Sequence, residues 1–510
     1  MENMRMKTKW MWIFAGFTAV FFLYLFTRLF NLTGLPIFTD EAIYIRWSQI
    51  GMRDANWRFI SLTDGKQPMF TWAMMILLKL FDTSDPLFVG RLTSVVAGCL
   101  TLIGMWILSF EIFKDRRISW LTGILYVFMP FTAWYDRMAL YDSMASTFAV
   151  WSLYLGIRLA KQQRLDTALL LGMTLGCGML NKSSAFLTLY FLPVTLMLFD
   201  WAHKNRWRNL FRWGMLVLVA ALLSQVFYSV LRLSPFFHMV GQKDNVFVFS
   251  IGEWLNQPFR FVAGNLRGMF DWLREYMTLP LFIAAFVSVF TRWTKSRERW
   301  LLYFWWALPF GALANFAKIL YPRYILFMVT PLIIMAAYTI VSLWDKNKNG
   351  FVRMGIVALC LVPSMYVTGF IIFNPKAAPI PPADRGQFIE DWPAGGGVKE
   401  VVTYLSKEAL NKKVHVFTEG TFGLLPYSIE IYLVDYLNVK ITGIWPLPVN
   451  MPDAMVKSAS QSATFFVLNE TQIPPSWPMT LIGEYEKANR EDHKKLRFYR
   501  INEPLRIKEP

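Results

Sequence analysis

The 510-residue chain has little of what most soluble catalysts are built from. It holds three cysteines, Cys99, Cys177 and Cys360, all inside apolar runs, which gives no disulfide framework and no thiolate metal site. Its four histidines, His203, His238, His415 and His493, are scattered with no HxxxH or HExxH spacing, which argues against a histidine-built metal centre. No glycine-rich phosphate loop occurs, so a soluble nucleotide-sugar site is not expected. No internal repeat of fixed period is found. Charge is scarce at 17% of residues and biased, with 35 acidic against 52 basic side chains.

What fills the chain is hydrophobic surface. Apolar residues make up 55% and aromatics 17%, with mean hydropathy +0.35. Runs long enough to cross a bilayer recur, at about 20 residues per span. Eleven spans are expected, near 10–30, 86–111, 118–134, 141–158, 165–181, 184–200, 211–232, 277–292, 300–317, 323–344 and 353–373. The first follows Arg5, Lys7 and Lys9, is too long for a signal-peptide core and lacks a small-residue cleavage pattern, so it reads as a retained span.

The net charge of +17 has its origin here and calls for no nucleic acid partner. "FKDRR" (113–117), "RLAKQQR" (158–164), "HKNRWRNLFR" (203–212), "RWTKSRER" (292–299) and "DKNKNGFVR" (345–353) fall on one side with the amino terminus, the cytoplasmic side by the positive-inside rule. "KQPMFTWAMMILLKLF" (66–81) would reverse every later loop if it spanned, so it is expected to lie on the outer face. The apolar stretch 168–199 is interrupted by "NKSS". As one helix it would be about 48 Å long against a ~30 Å hydrocarbon core. A hairpin turning at 181–184 is expected instead.

The character changes after residue 373. The chain divides into a membrane part (1–373), a Pro/Gly-rich linker (374–397) and a small extracytoplasmic α/β domain (398–510). The last is read from β-rich runs at 414–420, 439–445, 463–470, 480–487 and 496–501, with helix-like stretches before some of them.

This threading collects ionisable residues on the outer face: Asp40, Glu41, Arg46 and Lys66; Asp136, Arg137 and Asp142; Lys182; His238, Glu253 and Arg260; Tyr321, Arg323 and Tyr324. Each has a plain reading. Asp40 would serve as a helix cap, Asp136 and Arg137 as a boundary ion pair, Lys182 as a snorkelling lysine, Arg323 as an anchoring charge and His238 as a loop histidine. Together, several cations and a few acids at headgroup level suit a lipid-linked phosphate. Lys and Arg neutralise its oxygens, and a carboxylate activates a hydroxyl or amine acceptor.

At these residues the chain resembles the GT-C superfamily of integral-membrane glycosyltransferases. The branch is that of the dolichyl-phosphate-mannose protein mannosyltransferases and the lipid A aminoarabinose transferases. "FTDEAIYIRWSQI" is similar to the first-loop Asp-Glu-Ala-x-Tyr motif and "GKQPMFTWAMMIL" to the Lys-Pro-Pro-hydrophobic motif. "VGRLTSVVAGCLTLIG", "DRMALYDSM", "LGCGMLNKSSAFL" and "YPRYILFMVTPLI" resemble segments that follow in the same order, and "EGTFGLLPYSIEIYL" resembles part of the outer domain. The resemblance implies an inverting transfer of a mannose-like hexose or a pentose from a polyprenyl-phosphate donor to a protein, lipid or glycan acceptor. Asp40 matches the catalytic Asp, with Glu41 beside it. Lys66 matches the lysine on the lipid phosphate, with Arg137, Lys182, Tyr321 and Arg323 as further donor ligands and Tyr44, Asp136 and Asp142 in support. No cofactor is certain, and a divalent metal stays open but unsupported. Gln67 stands in place of the first Pro. Ile43 replaces an Arg, and Gly65 an acid linked to metal, of the aminoarabinose transferases; both argue against that sugar. A lipid-linked glycan ligase or polymerase and a lipid-sugar transporter are the alternatives.

Overall fold

The computed structural model describes residues 2–82, 85–290, 294–487 and 494–502, the side chains of 2–14 and 290 excepted. His493 and part of the 292–299 cluster lie outside them. The described residues are mostly helical, with one β-sheet among them near the carboxyl end. It forms two compact units: Met1–Leu32, Asn56–Ala73 and Arg91–Pro381 in the first; Thr33–Ala55, Met74–Gly90 and Pro382–Pro510 in the second. Residues 33–55, 74–90 and 382–397 therefore belong with the sheet-bearing unit.

Four helices among the described residues, all in the first unit but for Pro86–Gly90, are long and apolar enough to cross a membrane: Pro86–Phe113, Arg206–Leu233, Pro322–Lys346 and Gly350–Phe373. A fifth candidate is a pair, Val262–Met277 and Leu279–Val289, bent by 114°. Some of the other expected spans are shorter or broken. The 118–134 run divides at Met129–Pro130, where proline ends the ladder of backbone bonds. The 184–200 run is a short helix, Ala185–Tyr190, followed by 3-10 turns over Leu192–Leu198. The break at 181–184 falls where Lys182 leaves the helix Leu165–Asn181 in extended backbone. The segment after Lys66 is a helix of 12 residues, Met69–Leu80, too short to span.

The helix Pro322–Lys346 is mostly buried, whereas Arg206–Leu233 and Gly350–Phe373 show mostly exposed apolar side chains, among them Phe211, Leu222, Val226, Leu359 and Tyr366. Such surface suits lipid rather than water. Close packing within the unit uses small residues. Gly172 and Gly176 lie against Ala220 and Ser224 of the helix Arg206–Ser229, so close that a Cβ at 172 would stand 2.8 Å from the Ala220 carbonyl oxygen. This small-xxx-small contact lets two backbones approach where hydrophobicity supplies no drive between helices.

The second unit is built on a five-stranded mixed sheet of β1 (Val414–Glu419), β2 (Val439–Ile444), β3 (Ala463–Leu468), β4 (Met479–Glu486) and β5 (Lys495–Ile501), in the order β2-β1-β3-β5-β4. β1 runs parallel to β2 and β3, and β5 antiparallel to β3 and β4. Phe417, Phe466, Leu468, Trp477 and Ile501 pack on one face with Met455 and Ala459 of the helix Asp453–Ala459. On the other, Phe465 and Phe498 meet Tyr404 of the helix Val398–Ala409. Both faces being covered, β1 and β3 are buried almost throughout and not at alternate residues.

Candidate functional site

The sheet-bearing unit carries Asp40, Glu41 and Tyr44 on one helix, α2 (Thr39–Arg53). Phe38 is its extended cap residue and has no side-chain acceptor. Glu41 supplies one by reaching back to the Phe38 N–H at 2.9 Å, the carboxylate half of a capping box. Capping thus falls to fully buried Glu41 and not to Asp40. Asp40 is part-exposed in the first turn, where the helix dipole favours a negative charge. Tyr44 is buried with its ring 5.8 Å from Trp47. One face of α2 is tied to the helix Leu424–Leu433 and the residues after it. Arg46 bonds Glu430 at 2.6 Å, Gln49 donates to the Ile431 carbonyl at 2.9 Å, and Arg53 pairs with Asp435 at 2.6 Å.

The membrane unit gathers the cations. Lys66 follows Gly65, which ends the turn Ile60–Asp64 at φ +67°; a Cβ there would lie 2.5 Å from the Met239 carbonyl oxygen. The glycine is required both by its backbone and by the helix His238–Phe247 packed against it. That helix brings Lys243 to Asp64 at 2.7 Å and Phe247 to within 5.9 Å of the Lys66 ammonium. Asp244 accepts from Ser183 at 3.1 Å, and Ser183 accepts in turn from Gln67 at 2.6 Å. Burial pushes the Asp244 carboxyl above its ordinary range, with Ser183 and the Lys66 charge opposing it.

The Phe247 ring meets Tyr324 edge-on at 6.2 Å, and from there the aromatic wall continues. Lys182 lies 4.5 Å over Tyr324 and donates to Asp142 at 2.5 Å. Arg323 stands 5.2 Å over Tyr321 and 5.7 Å over Tyr324. Lys66, Asp142, Lys182, Tyr321 and Arg323 thus share one neighbourhood. Its cations lie against ring faces, which attract positive charge without consuming its hydrogen-bond donors. Asp244 and Phe247 were missed in sequence. Their signal was "QKDNVF" in the long 233–276 loop, where His238 drew attention instead. His238 is exposed and bonded to the Pro235 carbonyl.

Asp136 and Arg137 depart from expectation. They do not pair with each other. Asp136 takes an ion pair from buried Arg28 at 3.3 Å and a hydrogen bond from Tyr126 at 3.1 Å. Arg137 donates to the carbonyls of Thr27, Arg28, Phe30 and Asn31 at 2.8–3.0 Å, satisfying the orphan acceptors at the end of α1 (Glu2–Leu29). Its Nη1 and Nη2 donors serve backbone, as those of a structural cation would. Among the described residues no group of three or more His, Cys, Asp or Glu could hold a metal ion.

The structure aligns over 96% of its length with that of ArnT from Cupriavidus metallidurans bound to undecaprenyl phosphate, covering 98% of that chain at TM-score 0.58 and 13% identity. It aligns with the apo form at TM-score 0.57. The family model "Dolichyl-phosphate-mannose-protein mannosyltransferase" matches residues 65–228. The undecaprenyl phosphate-alpha-4-amino-4-deoxy-L-arabinose arabinosyl transferase of Pseudomonas aeruginosa is 25% identical over 354 residues, 64% of this chain and 61% of that protein. A second such transferase, from Proteus mirabilis, is 25% identical over 368 residues, 68% of this chain and 64% of its own. The matched stretches span less than two thirds of these relatives. In sequence the chain is similar to these transferases, and in fold to the ArnT structures.

Proposed function

We propose that the chain moves a hexose or pentose from a polyprenyl-phosphate donor to an acceptor at the outer face of the membrane, with inversion at the anomeric carbon. The observation that carries this reading is the set of Lys66, Lys182 and Arg323 against Phe247, Tyr321 and Tyr324. Cations on aromatic walls at helix ends suit a phosphate carried by an apolar lipid. Lys66 and Arg323 neutralise the phosphate and stabilise the charge that grows as it leaves, an electrostatic contribution. Asp40 deprotonates or orients the acceptor, a positioned base's usual share being about 10²–10⁴-fold. Glu41 holds the turn on which Asp40 stands. The relatives' named donor, undecaprenyl phosphate carrying aminoarabinose, supports the lipid phosphate. Ile43 and Gly65 favour a sugar other than aminoarabinose. The acceptor is a lipid, glycan or protein hydroxyl or amine.

The reading includes eleven spans, a membrane domain 1–373, a joining stretch 374–397 and an extracytoplasmic domain 398–510. Basic loops face the cytoplasm, and Asp40, Lys66 and Lys182 face outward. Single cysteines, in a chain lacking the three native ones, give the orientation. An impermeant thiol reagent added outside should label position 182 and spare 206, and the reverse pattern would overturn the topology. Activity is tested by transfer of labelled sugar from a polyprenyl phosphate in detergent. Release of product from the lipid supports an enzyme. Movement of intact lipid-linked sugar across vesicles without turnover would support a transporter instead.

A further inference from the structure

We propose that Lys487, acting with Asn469, is a positioning residue that pins the amino-terminal turn of α2 and through it sets the Asp40 carboxylate; the inference rests on the role given to Asp40 above. All the residues concerned belong to the sheet-bearing unit.

Lys487 follows β4 and is buried, with 1% of its surface exposed. A lysine there is costly, since its charge loses water on every side. Its three N–H donors meet converging acceptors: Asn469 Oδ1 at 2.6 Å and the carbonyls of Trp392 at 3.0 Å and Asp391 at 3.4 Å. Asn469 adds its own amide to the Trp392 carbonyl at 2.9 Å. Asn469 is fixed from below by Glu419, whose carboxylate takes the backbone N–H of Asn469 and of Gln472, each at 2.6 Å, and the Thr471 hydroxyl, also at 2.6 Å. The Trp392 carbonyl is thus held by two donors on a rigid base at the ends of β1 and β3.

The next residue is the one α2 uses. The Pro393 carbonyl accepts the Thr39 N–H at 3.0 Å and the Thr39 hydroxyl at 2.9 Å. Ala394 bridges Phe38, and the Gly395 N–H donates to the Ile37 carbonyl at 2.8 Å. Gly395 has no room for a side chain, since a Cβ would lie 2.5 Å from that same oxygen. Residues 37–39 therefore lie in a cradle formed by 393–395, and Asp40 is the next residue along. A chain of short hydrogen bonds runs from Glu419 through Asn469 and Lys487 to Trp392, then across Pro393 to Thr39. An apolar residue at 487 would fill the space at lower desolvation cost but would leave the Trp392 carbonyl, just before the cradle, half-held. That buried cation is what the positioning role explains.

The test uses the full chain in detergent. Lys487→Met keeps the volume and removes the donors. Amide exchange at Thr39 and Gly395 should rise about tenfold, as expected for loss of roughly one charge-assisted hydrogen bond. The turnover number should fall about ten- to hundredfold, the usual cost of a misplacement near 1 Å. Affinity for undecaprenyl phosphate, measured as the bare lipid, should stay within twofold. Thr39→Val removes the hydroxyl half of the next link and leaves the Thr39 N–H bond, so the double variant should fall by less than the two single losses combined. A folded Lys487→Met chain with wild-type exchange at Thr39 and Gly395 would overturn the inference, as would additive losses in the double variant. Should Lys487→Met not fold, Asn469→Ala and Thr39→Val decide by the same readouts. A wild-type chain that transfers no sugar would sink the proposed function, while the exchange result would still judge the pin.

Discussion

Lys182 donates to Asp142 at 2.5 Å while its ammonium lies 4.5 Å above the ring of Tyr324. The lysine ends the helix Leu165–Asn181 and the acid opens the helix Tyr141–Gln162, so the pair joins two elements as well as offering a cation. Lys182→Met should strand a buried carboxylate at a cost of roughly 2–3 kcal/mol, near the low end for such pairs because Lys182 is 25% exposed. Lys182→Met with Asp142→Leu should recover most of that stability and none of the lost donor affinity. Thermal melting with lipid-phosphate binding on the same samples checks both. Recovery of binding in the double variant would remove Lys182 from the donor site.

Lys66 and Arg137 separate phosphate binding from scaffolding. Lys66→Ala should weaken donor affinity about ten- to hundredfold, the worth of a charge-assisted hydrogen bond, with little change in melting. Arg137→Met should do the opposite, because four carbonyls at the end of α1 lose their donor. Its melting point should drop by several degrees while the donor affinity of the folded fraction stays near wild type. Calorimetric binding and melting of the two variants side by side decide.

Asp40 and Glu41 are adjacent and differ in task. Asp40→Asn should leave helix and fold intact and reduce the turnover number about 10²–10⁴-fold, since an amide cannot accept the proton. Glu41→Gln keeps an acceptor for the Phe38 N–H and should cost little. Glu41→Ala removes the cap and should destabilise by about 1 kcal/mol. Single-turnover transfer at saturating donor measures the first effect. A well-folded Asp40→Asn chain at close to normal rate would end the catalytic assignment.

Lys487 gives stability a pH dependence of known sign. Burial pulls its pKa down to about 7, against the pull of Asp391, Glu419 and Glu470 and with the push of Lys494. The unfolded chain keeps that proton to a pH of about 10.4. Between these values the unfolded state binds more protons, so the sheet-bearing unit should gain stability as pH rises from 7 to 10, by at most about 1.4 kcal/mol per pH unit. Amide exchange in β3, corrected for intrinsic rates, reads the slope. Lys487→Met should flatten it.

Much of this molecule is legible in one dimension. Apolar runs announce a membrane protein because a bilayer demands length and hydrophobicity in contiguous sequence. All five strands lie where β-rich runs end the chain, since β-branched and aromatic side chains fit a pleated, half-buried surface. "NKSS" marks a helix break, and Lys66, Asp142, Lys182 and Arg323 were named as site residues from charge beside apolar runs. Tertiary structure decided what those side chains touch. Nothing near Arg137 in sequence shows that its donors serve carbonyls 106–110 positions earlier. Glu41, beside the presumed base, is spent on a cap. Asp244 and Phe247 reach Lys66 across nearly 180 residues, and Lys487 reaches the turn before Asp40 through partners spread over more than 400. Pattern along a chain records which face is buried and how long an element runs. Hydrogen bonds and ion pairs are made between elements, and only the fold sets which donor finds which acceptor.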